Sequence, residues 1–217
     1  MFVFLMKQYN YIVIEGNIGA GKTSLARLLS DKFNARLILE RLNENPFLPG
    51  FYANPEKYSF SLELSFLAER YHQLNDELQN RDLFQPLTIT DYYFMKSLIF
   101  SRTNLSEDEF QIYRKIFNII SNNLVKPDLY VYLHLNLDNL IRNIKNRGRH
   151  FEQKIQKEYL VKIQEGYMDF FKQQKDLPIV MIDANELDFC SKIADFEKIV
   201  EIIFERDYPA GINKVIP

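Results

Sequence analysis

The sequence predicts an α/β fold, a five-stranded parallel sheet with helices on both faces. Three observations carry this expectation. Short apolar, β-branched runs alternate five times with longer amphipathic stretches along the 217 residues. Three of the runs end at residues suited to a strand end that faces a ligand: Gly16, Glu40 and Asp91. Three of the seven glycines in the chain, Gly16, Gly19 and Gly21, fall within six positions directly after the first run. In open parallel sheets ligands bind beyond the carboxyl ends of the strands, so these positions are the first candidates for a site.

The elements follow in order. Residues 11–15 (YIVIE) are a β-branched and aromatic run closing on glycine, a buried strand. Leu25, Leu28 and Leu29 put an apolar face on a helix over 22–33. Residues 36–40 are the second strand. Pro46, Pro49 and Pro55 break up the segment that follows, which reads as turn-rich. From Phe60 the apolar residues 60, 64, 67, 71, 74 and 78 step by four and three, the pattern of a long amphipathic helix. PLTIT (86–90) is a strand ending at Asp91. Helices are expected over 92–103 and 107–124; in the second, Phe110, Tyr113, Phe117, Ile120 and Leu124 share a face. Residues 128–135 are a strand, 138–149 a helix entering a basic loop, 153–174 a helix, 178–184 the last strand, 192–205 a helix and 207–217 a tail.

Composition narrows the function. With 26 % charged residues and a net charge of −2, the chain has no broad basic surface with which to grip a nucleic-acid polymer. Its length suits one domain over 1–217. The single cysteine, Cys190, excludes an internal disulfide and fits a reducing cytoplasm. The opening MFVFLMK is too short for a signal-peptide core, and no run approaches the ~20 apolar residues of a spanning helix.

Residues 16–23, GNIGAGKT, satisfy G-x-x-x-x-G-K-[ST] between a strand and a helix, the context the mechanism requires. Glycines let backbone N–H groups converge on phosphate oxygens, and the helix N-terminus adds partial positive charge. Gly16, Asn17, Ile18, Gly19, Ala20, Gly21, Lys22, Thr23 and Ser24 are therefore expected around the phosphates of a nucleoside triphosphate. Lys22 reaches the β and γ phosphates, and the Thr23 hydroxyl suits Mg²⁺.

Asp91 is expected to hold the same Mg²⁺, directly or through water; its other use would be as N-cap of the helix over 92–103. Glu40 has two readings that position alone leaves open: a base that takes a proton from an attacking hydroxyl, or a solvated acid paired with Arg41. In KNRGRHFE, Arg147 and Arg149 flank Gly148. Read alone, the segment is a helix C-terminus with a glycine cap; in a kinase it would be a lid that carries positive charge onto the phosphoryl group.

Taken together, IEGNIGAGKTSL, Glu40, FYANPEKY, the strand end at Asp91 and NRGRHFE resemble the deoxynucleoside kinase family, in particular its bacterial deoxyadenosine and deoxyguanosine kinase-like members, over roughly residues 10–190. The resemblance implies a P-loop kinase fold with a short lid at about 145–153, and transfer of the ATP γ-phosphoryl to a deoxynucleoside 5′-hydroxyl, with ATP and Mg²⁺ as cofactors. It implies Glu40, Lys22, Arg147 and Arg149 as the catalytic set, with Arg147 also on ATP and Lys145 beside them. Tyr52 and Glu152 would contact the sugar 3′-hydroxyl. It also implies a homodimer formed through helices beside the third strand and the lid.

Two positions depart from the family pattern. Where the family has Asp/Glu-Arg-Ser, this chain has Asp91-Tyr92-Tyr93; Tyr92 is expected at the substrate, with Arg41 or a lid residue supplying the missing charge. Glu63 and Arg70, seven apart, share a helix face with Phe66 and are expected to read the base. Arg70 matches an arginine of purine- and cytidine-accepting members, and Ser97 stands where its acidic partner would be. Phe100 has two readings, stacking on the base or packing in the core from the helix over 92–103. An ionised Glu63 only accepts hydrogen bonds, which suits guanine N1–H and N2–H₂ or thymine N3–H, whereas the overall resemblance leans to adenine. The reading is a purine deoxynucleoside with the base left open. The rivals are a thymidylate-type nucleoside-monophosphate kinase and a nucleotide-binding switch; no Asn-Lys-x-Asp segment supports a GTPase-type switch.

Overall fold

Alternate residues of the central strands point to opposite sides of one sheet, and both sides are apolar, as a parallel sheet covered twice requires. The computed structural model describes residues 8–42, 45–79, 84–121 and 124–217. The opening apolar stretch, residues 43 and 44 of the turn-rich segment, and residues 122 and 123 of the helix expected over 107–124 lie outside them. The strands are β1 (Tyr11–Gly16), β2 (Arg36–Ile38), β3 (Thr88–Thr90), β4 (Leu129–His134), β5 (Pro178–Asp183) and β6 (Gly211–Val215). They form a six-stranded sheet in the order β2-β3-β1-β4-β5-β6, with every pairing parallel.

On one face, Ile12, Ile14, Val131, Leu133, Val180 and Ile182 meet α1 (Lys22–Phe33), α6 (Leu137–Arg147) and α8 (Ile193–Phe204). On the other, Tyr11, Val13, Tyr130, Tyr132, Ile179 and Met181 meet α7 (Lys157–Gln173) and Ile99 of α4 (Lys96–Asn104). A third cluster joins α3 (Pro55–Gln79), α4 and α5 (Glu107–Ser121), with Phe94 stacked on Phe117 at 4.7 Å. A short helix, α2 (Leu48–Ala53), lies in the segment expected to be turn-rich.

The expected five strands become six because residues 211–215 of the supposed tail pair with β5, Ile212 beside Ile179 and Val215 beside Ile182. Its pattern of half-buried and exposed residues is that of a short edge strand, and the flanking Pro209 and Gly211 disguise it as a loop. The helix expected from residue 92 starts at Lys96; residues 92–95 form a turn in which Tyr93 O and Phe94 O accept from Lys96 N and Ser97 N. Strand β2 stops at Ile38 rather than 40. Leu39 O instead accepts from the Gln73 amide at 3.0 Å, and Glu40 N donates to Asp91 Oδ1 at 2.8 Å, so the chain leaves the sheet where the acid is needed.

Beneath the first loop, Glu15 is fully buried. Its carboxylate accepts from Tyr167 Oη at 2.8 Å, Tyr93 N at 3.0 Å and Gly16 N at 3.3 Å, and burial raises its pKa against the pull of Lys96 and Lys22. Removing a donor from a buried acceptor costs about 1–3 kcal/mol. Tyr167→Phe is thus expected to lower unfolding free energy by about that amount in a denaturant titration; unchanged stability would refute this role for the hydroxyl.

Candidate active site

The loop after β1 is shaped by residues that only glycine satisfies. At Gly19, φ is +85° and an added Cβ would lie 2.7 Å from Leu140 O; at Gly21, φ is +88° with Phe189 Cζ at 2.9 Å. Asn17 holds the loop from below: its amide donates to Leu160 O at 2.8 Å, and its Oδ1 accepts from Ile18 N at 2.8 Å. Asn143 of α6 donates to Gly19 O at 2.9 Å. The first N–H groups of α1 have no intrahelical partner and point at the cleft above. Lys22 arches over the loop to Asn17 O at 2.9 Å. Burial, together with the charge of Lys96, lowers its pKa to about 8 against the pull of Glu15, Glu40 and Asp91.

A cleft of about 950 Å³ opens above this loop, bounded by residues 19–24, the exposed side of α6 and residues 184–190. A second cavity lies on the other side of Lys22 and Thr23, enclosed by Glu40, Tyr52, Glu63, Phe66, Arg70 and Phe100 among others. The two share Lys22, Thr23, Arg147 and Arg149. A donor on the glycine loop and an acceptor in the second cavity would therefore meet between those cations.

Glu40 lines the second cavity with Lys22 and Thr23, its side chain buried. Its Oε1 accepts from Arg70 Nε at 2.8 Å and Nη2 at 2.6 Å, and its Oε2 from Lys96 Nζ at 2.6 Å. Burial works to raise its pKa, but Lys96 and Arg70 overcome it and hold the carboxyl at about 2, so Glu40 is ionised throughout the physiological range. Asp91 links it to the loop: Oδ1 accepts from Glu40 N, and Oδ2 accepts from the Thr23 hydroxyl. This is a pair of hard oxygen ligands where the loop meets the sheet. Among the described residues no group of three or more His, Cys, Asp or Glu side chains converges on a metal position. Such a pair fits Mg²⁺, which keeps most of its shell from waters and phosphates.

The far wall of the second cavity is formed by Glu63, Phe66 and Arg70. Arg70 Nη1 donates to Ser97 Oγ at 2.8 Å, and its guanidinium lies over Phe66 at 4.8 Å. Glu63 Oε1 accepts from Asn104 Nδ2 at 2.6 Å, while Oε2 is buried with no hydrogen-bond partner. Burial pushes the Glu63 carboxyl up to about 7, with Glu40 adding to it and Arg70 and Asn104 opposing. Glu152, buried, accepts from both Arg147 and Arg149, the latter at 3.1 Å. Tyr52 stacks on Phe151 at 5.6 Å beside them.

Comparison with known proteins agrees with this arrangement. The family model described as "Deoxynucleoside kinase" matches residues 12–206. The chain belongs to the deoxynucleoside kinase family. A deoxyguanosine kinase of Bacillus subtilis (strain 168) is 38 % identical over 203 residues, 90 % of this chain and 96 % of that one. A deoxyadenosine kinase of Lactobacillus acidophilus is 29 % identical, covering 90 % and 95 %. A solved structure of deoxyadenosine kinase from M. mycoides with the products dCMP and a flexible dCDP bound superposes with a TM-score of 0.77 at 27 % identity, covering 89 % of this chain and 98 % of that one. The protein is thus a phosphotransferase acting on deoxynucleosides, and the monophosphate-kinase and switch alternatives fall away. Among the described residues no helix is long and apolar enough to cross a membrane.

Most of the expected kinase residues converge. Glu40, Tyr52, Glu63, Arg70, Phe100, Arg147, Arg149 and Glu152 line the acceptor cavity with Lys22, Thr23 and Asp91. Residues 19–24 line the donor cleft, Ile18 faces the acceptor side, and Gly16 and Asn17 lie buried beneath both. Asp91 is not a helix N-cap, since Met95 holds that position in α4. The helix-cap reading of the basic loop is observed, Gly148 capping α6 at φ 72°, and the arginines on either side line both clefts. The segment expected to be a lid is the end of α6 followed by a short 3-10 helix, His150–Lys154.

Four expectations need correction. Tyr92 does not reach the cavity; it is wholly buried in the α3–α5 cluster, donating to Gln73 Oε1 at 2.8 Å. Arg41 does not supply the missing charge, because it pairs at the surface with Glu69 at 3.3 Å. Lys145 lines neither cleft. Ser97 is buried behind Arg70 instead of facing the cavity. Lys96, Asn104 and Tyr159, all lining the acceptor cavity, went unrecognised. A lone lysine inside the apolar run FMKSLIF was the available signal for the first; Asn104 and Tyr159 carried none.

The Glu63 environment predicts a pH effect on stability. Its folded pKa is raised above the ordinary 4.5 to about 7, so its favourable contribution is complete below about pH 4.5 and is lost as pH rises through about 7. Glu63→Gln lacks this loss. Its melting temperature relative to the parent should rise between about pH 5 and about pH 8; a constant difference would contradict the shift.

Proposed function

We propose that this kinase phosphorylates deoxyguanosine at the 5′-hydroxyl with ATP as donor. The observation that carries the base assignment is the buried, unpartnered Oε2 of Glu63 in the acceptor wall. The Glu63 carboxyl is raised to about 7, and the adjacent N1–H and N2–H₂ of guanine would favour its ionised form, which offers two acceptor oxygens and no donor. Adenine would set its N1 acceptor against the carboxylate. Arg70 has five N–H groups, of which Glu40 and Ser97 take three, leaving donors for guanine O6. The name of the 38 % identical Bacillus relative, deoxyguanosine kinase, supports the same base.

The geometry suits in-line transfer. The γ-phosphoryl would lie between Lys22 and the lid arginines, which both cavities share, with the nucleoside 5′-oxygen on the Glu40 side. A bond forms from the 5′-oxygen to Pγ, and the bond from Pγ to the β,γ-bridging oxygen breaks. ADP leaves with that electron pair, and the 5′-hydroxyl proton passes to Glu40. A carboxylate held at about 2 is a weak base, which fits a transition state where charge on the phosphoryl oxygens matters more than early proton removal. Thr23 and Asp91 would hold Mg²⁺, which neutralises charge on the β and γ phosphates. Tyr52 and Glu152, both lining the acceptor cavity, would contact the sugar 3′-hydroxyl.

A cytoplasmic homodimer completes the reading. Its supports are the exposed apolar Ile112 and Ile119, seven apart on α5, and the exposed free thiol of Cys190.

Initial rates with the four deoxynucleosides test the base. Deoxyguanosine should rank first for the parent. In Glu63→Gln, whose amide both donates and accepts, the kcat/KM ratio of deoxyguanosine to deoxyadenosine should fall by about tenfold or more. An unaltered ranking would remove Glu63 from base reading.

A further inference from the structure

Lys96 breaks two local rules at once. It is the first residue of α4, where the positive end of the helix dipole opposes a cation. It is also only 5 % exposed, where a lysine charge is costly unless paired. Its backbone is set by the turn over 92–95, Lys96 N donating to Tyr93 O. The ammonium lies 2.6 Å from Glu40 Oε2 and 5.5 Å from the centre of the Phe100 ring, so it is held between a carboxylate and an aromatic face. The two other side chains that were candidates for this place are elsewhere: Tyr92 is neutral and in the core, and Arg41 is at the surface.

Arg70 binds Glu40 through Oε1 alone. One pinned oxygen leaves the carboxylate free to swing about that contact. A second cation on Oε2 fixes the plane of the group, and a charge-assisted bond of this length is strong enough to do so. Lys22 and Thr23 line the same cavity as Glu40, so fixing the carboxylate fixes it relative to the residues expected at the phosphoryl group.

We propose that Lys96 is the positioning residue of the transfer reaction: from the start of α4 it locks the Glu40 carboxylate in the orientation that receives the 5′-hydroxyl. This rests on Glu40 as proton acceptor. The structural cost of placing Lys96 there, against both dipole and desolvation, is then offset by alignment. Misplacing a reacting group by about 1 Å can cost about a hundredfold in rate.

Steady-state kinetics of Lys96→Met and Lys96→Arg test the role, with melting temperatures to confirm folding. Lys96→Met should lower kcat about 10- to 100-fold with KM for ATP within about threefold of the parent. Lys96→Arg, which keeps a cationic donor for Oε2, should recover most of the lost kcat. A lysine that only stabilises the fold would lower the melting temperature and leave kcat of the folded protein at the parental level, which would overturn the proposal. If Lys96→Met does not fold, Lys96→Gln is measured against the same loss of kcat. Glu40→Gln, assayed in parallel, separates the two readings: full activity there overturns the base assignment itself, whereas an inactive Glu40→Gln beside a parental Lys96→Met overturns the Lys96 role alone.

Discussion

A single buried carboxylate, Glu40, held by Arg70 and Lys96, is the constraint on which the site depends. Buried ion pairs contribute little net stability, because desolvation cancels much of the attraction, yet removing one partner leaves an uncompensated charge and costs several kcal/mol. Each member therefore obliges the others. With Glu40 in place, Arg70 and Lys96 are tolerated in the interior. Arg70 in turn requires Ser97, and Asp91 receives Glu40 N while gripping Thr23. The chain of contacts runs unbroken from Arg70 on α3 through Glu40 and Asp91 to Thr23 of the phosphate loop.

The rest of the fold brings five separate chain segments to this point. Parallel pairing aligns the carboxyl ends of β1, β2 and β3, which sets the glycine loop, Glu40 and Asp91 side by side although they are far apart in sequence. The stacked Phe94 and Phe117 anchor the turn that starts α4, and α3 runs the length of the acceptor wall with Glu63, Phe66 and Arg70 on one face. The lid arginines close the remaining side through Glu152. The polar cluster is thus built on rigid elements, with only the lid formed from short structure.

Much of this was readable from residue order. The glycine loop has a local signature, since positive φ and close approach admit no side chain at Gly19 or Gly21. Strand-end acids follow from the geometry of parallel sheets, so Glu40 and Asp91 could be named without coordinates, and helical spacing grouped Glu63 with Arg70. What escaped had physical reasons. Apolar periodicity does not distinguish the first turn of a helix from the tight turn over residues 92–95, so Lys96 was given no particular direction. Tyr92 was assigned to the substrate by position, but its ring is apolar enough, with one partner in Gln73, to be drawn into the core. The sixth strand is too short and too exposed for alternation to show. Asn104 and Tyr159 reach the cavity only through tertiary packing, which no local pattern encodes.

The central claim is that Glu40 and the glycine loop approach the same 5′-oxygen from opposite sides. A crystal structure with deoxyguanosine and a non-hydrolysable ATP analogue measures this directly. The account predicts the 5′-oxygen within about 3 Å of a Glu40 carboxylate oxygen, with the γ-phosphoryl on its far side between Lys22 and the lid arginines. A nucleoside bound with its 5′-oxygen turned away from Glu40, or a triphosphate whose γ-phosphoryl lies outside the shared junction, would contradict it.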